Sequence, residues 1–171
     1  MAIELNENAP WRAAVIRDFA ASELFARTFD EGMTLVEETA AYLDGGGRAD
    51  AKLLSRGAAY AYAGESMRLT TRLMQIASWL LVQRAVREGD MAPEGACDDR
   101  YRLGAEAVCT AEASPEANDL PMGLLELLER SGRLYERVLH LDKRMYREAA
   151  EDDVPHSPVL AQFDRLKAAF G

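Results

Sequence analysis

Residues 65–91 read ESMRLTTRLMQIASWLLVQRAVREGDM, and how they are read decides the fold: the helical period persists while the character of the helix changes halfway. Glu65, Arg68, Arg72 and Gln75 recur at alternating steps of three and four, so they form a stripe of the kind a surface helix shows to water. The same stripe continues as Trp79, Val82 and Val86. A second stripe, Tyr62, Ser66, Leu69, Leu73, Ile76 and Leu80, lies roughly 110° round the cylinder, and a third, Met67, Thr71, Met74, Ser78, Leu81 and Ala85, lies further round again. The far half of this helix is therefore apolar nearly all round. It has to be covered from several sides, by its own chain or by another subunit.

Working outward, this long helix is expected over residues 49–88 and stops at Gly89 and Asp90, with Pro93 soon after. Gly57 and Gly64 lie inside it among alanines, where small residues let another helix approach closely. A first helix is expected over 22–44, capped by Ser22, with Phe25, Phe29, Gly32, Val36 and Leu43 at near-helical spacing, and ended by the glycines at 45–47. At about 1.5 Å per residue the central helix is roughly 60 Å long and the first roughly 35 Å, so the first reaches only to around residue 73. A third helix, 121–150, places Leu124, Leu127, Ser131, Leu134, Val138, Leu141 and Met145 on one face, with Pro121 in its first turn. Residues 89–120 are too long for a structureless connection and read as a packed loop through Tyr101, Leu103, Val108 and Cys109. Residues 1–20 read as an N-terminal arm containing a moderately amphipathic stretch, WRAAVIRDF. The tail, 154–171, reads as a short amphipathic helix with Val159, Phe163, Leu166 and Phe170 on one face.

No segment alternates apolar and polar residues between hairpin turns. The expectation is an all-α single domain over residues 1–171: a three-helix bundle with a long central helix and a short C-terminal amphipathic helix. A homodimer is expected to cover what one chain leaves bare, with Trp79, Val82 and Val86 at a subunit or loop interface and Arg68 and Arg72 as exposed polar contacts.

A formal charge of −9 argues against a surface built to neutralise nucleic-acid phosphates. Glu94, Asp98, Asp99, Glu106, Glu112, Glu116 and Asp119 make the loop acidic, whereas Arg68, Arg72, Arg84 and Arg87 make the long helix locally basic. The acidic segment either steers a protein partner or docks on its own helix. The longest apolar run, WLLV, is too short to span a bilayer, and the N-terminus shows no signal-peptide pattern, so a cytosolic address is expected.

Chemistry is sparse. His140 and His156 are the only histidines, and neither has a glutamate three residues before it, so no metal or di-iron ligand set is assembled. Cys97 and Cys109 match no zinc or redox spacing. The glycines at 45–47 lack the strand and the Gly-Lys-Ser/Thr ending of a phosphate loop. Met67, Met74 and Met145 read as core filler, and Ser66, Ser78 and Ser131 as hydrogen-bonding groups within helix seams. No catalytic residue, cofactor or metal is expected, and the residues alone point to a non-enzymatic interaction protein.

The run EGMTLVEETAAYLDGGGRA, then SMRLTTRLMQIASWLLVQRAVREGDM, RLG…VC and LLERSGRLYERVLHLDKRMY, resembles the RcdA family of regulators of CtrA degradation from about residue 20 onward. The resemblance implies a cytoplasmic bacterial adaptor, a dimeric three-helix bundle that helps deliver cell-cycle transcription regulators to the ClpXP protease alongside partners such as CpdR and PopA. It implies no active site. An adaptor needs docking faces, and Val159, Phe163, Leu166 and Phe170 form a candidate detachable element that binds either a partner or its own bundle. The alternative is a small-molecule-sensing bundle with a ligand held near Tyr60, Tyr62 and Met67.

Overall fold

The computed structural model describes residues 9–146. Over these residues the chain is all-α, with no strand: α1 (Ala9–Ala21), α2 (Glu23–Asp44), α3 (Gly46–Ala51), α4 (Arg56–Glu88), α5 (Pro93–Ala96), α6 (Glu106–Cys109) and α7 (Met122–Tyr146), with 3₁₀ turns at Asp99–Tyr101 and Pro115–Asp119. Local chemistry sets the ends of the long helices. Ser22 Oγ accepts from the Phe25 N–H at 3.1 Å, and Ser55 Oγ accepts from the Ala58 N–H at 3.2 Å, each satisfying a donor that a helix start leaves free. Gly89, at φ 81°, ends α4 in the left-handed conformation that glycine adopts without a Cβ penalty.

Two boundaries differ from expectation. The glycines after Asp44 do not simply stop a helix, because Gly46 begins the short α3, and a break at 52–55 delays the start of the long helix to Arg56. At 33 residues α4 is about 50 Å long rather than about 60 Å. The presumed N-terminal arm is in large part a helix: α1 buries Ala13, Ile16 and Ala20 and packs on α4 and α5. It covers a further side of the far end of α4. The expectation that the first helix reaches only to around residue 73 is corrected: α2 runs along α4 to its end, with Gly32 against Leu80 and the Arg84 and Arg87 guanidinium groups over the Phe29 and Phe25 rings.

The core follows the second stripe. Leu69, Leu73, Ile76 and Leu80 of α4 are buried with Leu35 of α2 and Leu124, Leu127, Leu134 and Val138 of α7. Gly32 lets α2 close on this layer, since a Cβ there would stand 2.7 Å from Leu80 Cδ1. Met145 belongs to the core as expected.

At the far end, Trp79 is only 1% exposed within a single chain. Its ring packs on Phe19 of α1, centroids 5.6 Å apart, and its indole N–H donates to Asp142 Oδ1 of α7 at 3.0 Å. The same oxygen accepts the Leu103 N–H at 3.0 Å, and Arg102 donates to Asp142 Oδ2 at 3.1 Å. A buried carboxylate is thus satisfied from three directions, and this tolerates its charge in an apolar setting. Val86 is also buried and Val82 is partly buried. Of the two covers expected for Trp79, a subunit or a loop, the second subunit is not needed: Phe19 of α1, Asp142 of α7 and the connection at Leu103 close over it within one chain. A helix that is oily all round needed several neighbours, and one chain supplies them.

Candidate interaction surfaces

Exposure of Arg68 and Arg72 is the second expectation to be corrected. The stripe Glu65, Arg68, Arg72 and Gln75 does not face water but carries the 103–114 connection, hydrogen bond by hydrogen bond. Gln75 Oε1 accepts the Gly104 N–H at 3.0 Å, and Arg72 Nε donates to the Cys109 carbonyl at 2.7 Å. Arg72 also donates to the Leu128 carbonyl at 3.1 Å. Arg68 donates to the carbonyls of Ala111, at 2.6 Å, and Glu112, at 3.1 Å, and is ion-paired with Glu65. Glu65 Oε1 in turn accepts the Ser114 N–H at 3.2 Å. Loop main chain replaces water as the partner of each side chain, so a polar stripe ends up buried without orphaned charge. Burial, joined by the like charge of Arg68, pulls the Arg72 pKa below the ordinary arginine value.

The acidic connection therefore docks on its own basic helix, chiefly through carbonyls; Glu106 adds an ion pair to Lys143 of α7. Tyr135 ties the loop from the other side, its hydroxyl donating to the Gly104 carbonyl at 2.8 Å. Cys109 is buried as expected, whereas Val108 is half exposed. Burial pushes the thiols of Cys97 and Cys109 up, away from an activated thiolate.

With the polar stripe strapped and the second stripe in the core, the third stripe of α4 is left outside. Met67 is 72% exposed and Met74 64%, so their assignment to the core is corrected. Tyr60 at 85% and Leu81 at 51% continue the same line, one large apolar side chain every seven residues. Between them stand Gly64, Thr70 and Ser78, all exposed, and a Cβ on Gly57 or Gly64 would meet nothing within 4 Å. The small residues anticipated as a helix-approach site do face outward. Beside this line, Val36, Thr39, Ala40 and Leu43 of α2 and Leu73, Met74 and Ala77 of α4 line an apolar groove of about 260 Å³.

A larger groove of about 740 Å³ lies on the opposite seam, between α2 and α7. Leu24, Thr28 and Leu141 form its apolar floor, with Arg133, Arg137 and His140 at the rim. Ion pairs Glu31–Arg137 and Glu38–Arg130 bridge the two helices there. By contrast, the residues suggested for a small ligand do not converge: Tyr60 borders a depression with Arg56 and Ser114, and Met67 a separate one with Ser66 and Thr71. His140 is exposed, and the described residues contain no group of three or more His, Cys, Asp or Glu able to hold a metal ion. No helix among them is long and apolar enough to cross a membrane. Val159, Phe163, Leu166 and Phe170 lie outside the described residues, as does His156.

The family described as "Protein of unknown function (DUF1465)" matches residues 16–170. The crystal structure of RcdA from Caulobacter crescentus CB15 is 68% identical in sequence and superposes with a TM-score of 0.61, the match covering 76% of this chain and 97% of that one. This chain belongs to the RcdA family. No curated protein matches it. The family block SMRLTTRLMQ…SWLL…QRAV thus has a physical reading in α4: its arginines hold the connection, its leucines and tryptophan build the core, and its methionines face outward.

Asp142 and Tyr135 were not legible as structural residues in the sequence. One aspartate among the 29 acidic residues carries no local signature, although its place at Leu141-Asp142-Lys143, on the inward face of an amphipathic helix, is the one clue.

Proposed function

We propose that this protein is a non-enzymatic, cytoplasmic adaptor that promotes delivery of cell-cycle regulatory proteins to the ClpXP protease, working as a homodimeric helical bundle in one domain. Membership of the RcdA family, at 68% identity to RcdA itself, is the observation that carries this reading. The architecture suits it: the core is filled and strapped, while a line of four exposed apolar side chains, Tyr60, Met67, Met74 and Leu81, runs along α4. A protein that works by contact needs such a line more than it needs a cavity.

For the dimer, the α4 line is the preferred face. The midpoint of Tyr60, Met67, Met74 and Leu81 falls between Thr70 and Thr71, so an antiparallel second copy crossing there sets Tyr60 against Leu81 and Met67 against Met74. This pairing is self-complementary, as a two-fold interface requires, and the small residues between allow close approach. CpdR- and PopA-type proteins and transcription-regulator cargo are the proposed partners, and Val159, Phe163, Leu166 and Phe170 the proposed detachable contact. Arg68 serves partners only indirectly, by holding the connection.

The test is degradation of candidate transcription regulators by purified ClpXP with a CpdR-type partner, with and without this protein. Accelerated turnover of at least one regulator is expected. Unchanged turnover of a panel that a known RcdA does accelerate would overturn the adaptor reading.

A further inference from the structure

The α2–α7 groove, of about 740 Å³, is left unfilled by the described residues, and nothing in the adaptor reading uses it. Along α7 it runs from Arg130 to Leu141, about 17 Å at the helical rise. In the tail, Val159, Phe163, Leu166 and Phe170 recur at helical spacing over the same number of residues, so as a helix their apolar edge is also about 17 Å long. Among the described residues nothing apolar covers the groove floor of Leu24, Thr28 and Leu141, and Leu24 is half exposed. The two surfaces match in length and in character.

Reach is sufficient. Eleven steps separate Tyr146, the end of α7, from Ser157, at most about 39 Å of chain, whereas the far end of the groove lies about 24 Å back along α7. The connecting stretch carries Arg147, Glu148, Glu151, Asp152 and Asp153, a net negative segment that follows the basic last turn of α7, Lys143 and Arg144. In sequence, an acidic segment thus joins a basic helix end to the apolar tail.

We infer that residues 157–170 dock as an amphipathic helix into the α2–α7 groove of their own chain, antiparallel to α7, so that the tail and any external helix compete for one seat. This is an intramolecular contact and stands whether or not the protein delivers cargo to a protease. A tether of this length presents the tail at an effective concentration of order 1 mM, so an isolated segment that binds at about 100 µM would occupy its own groove roughly ten to one.

The experiment uses the full chain and a full-chain Phe163→Asp/Leu166→Asp variant, with a synthetic peptide of residues 157–170 as probe. NMR is expected to show contacts between the aromatic rings of the tail and the methyls of Leu24 and Leu141. These should be absent in the variant, whose circular dichroism should remain that of a folded helical protein. The peptide should bind the variant about tenfold more tightly than the native chain, because only the native groove is already filled. Equal affinity for both chains, or no binding to either, would overturn the inference. So would contacts appearing only between differently labelled chains in a mixed sample, which would place the tail on a second copy.

Discussion

Replacing Asp142 by alanine is the severest test of the claim that the far end of α4 is sealed inside one chain. The carboxylate accepts hydrogen bonds from the Trp79 indole, the Leu103 amide and Arg102, and is itself 1% exposed. Its removal leaves two buried N–H groups without an acceptor, each costing about 1–3 kcal/mol, and frees a guanidinium that can partly reach water. The expected loss is about 3–5 kcal/mol, a large fraction of the roughly 5–15 kcal/mol typical of a folded domain. Asp142→Asn keeps one acceptor oxygen for Trp79 and Leu103 but turns an amide donor or its equivalent toward Arg102, so about 1–2 kcal/mol is expected. Urea unfolding followed by circular dichroism gives these values. A double-mutant cycle with Trp79→Phe should return a coupling of about 1–2 kcal/mol. A loss below about 1 kcal/mol for Asp142→Ala, together with no coupling, would refute the buried hub.

Three further outcomes follow from the same geometry. Arg72→Ala should destabilise by about 3–5 kcal/mol, because the Cys109 and Leu128 carbonyls lose a buried charged donor, and hydrogen exchange should rise in 103–114 before it rises in α4. Gly32→Ala should cost about 1–3 kcal/mol by driving a methyl into Leu80, whereas Gly64→Ala, with open space around it, should stabilise the isolated chain by up to about 1 kcal/mol; thermal melts separate the two. Burial, the nearby Tyr62 and a hydrogen bond to Asp50 push Tyr42 up to about 12 from its ordinary 10.0, so the folded protein holds a proton that the unfolded chain releases. Its stabilising contribution is therefore complete below pH 10 and falls away between pH 10 and 12, and Tyr42→Phe should flatten that part of a stability–pH curve.

The all-α class, the cap at Ser22 and the stop at Gly89 were legible because each rests on local chemistry: a side-chain acceptor, a positive φ, a repeating apolar step. The assignment of faces was not. Periodicity reports that Glu65, Arg68, Arg72 and Gln75 share a stripe, but not whether water or the carbonyls of a distant loop will satisfy them, and here the loop does. A helix that is apolar on several sides likewise does not announce which side its neighbours will cover. Met67 and Met74 therefore read as core and turned out to be surface, while Trp79 read as a subunit or loop contact and turned out to be buried within one chain. The helix α1 was underestimated because its buried face is mostly alanine, Ala13 and Ala20 around Ile16, which gives a weak amphipathic signal.

The outward line of α4 is the face by which we propose this molecule is touched, first by its own second copy. Sedimentation velocity of the full chain at tens of micromolar, native against Met67→Glu/Met74→Glu, tests it most directly. A native dimer and a variant monomer with unchanged circular dichroism and melting temperature are predicted, since both side chains are already in water in the single chain. A native protein that stays monomeric, or a variant that dimerises as well as the native chain, would contradict it.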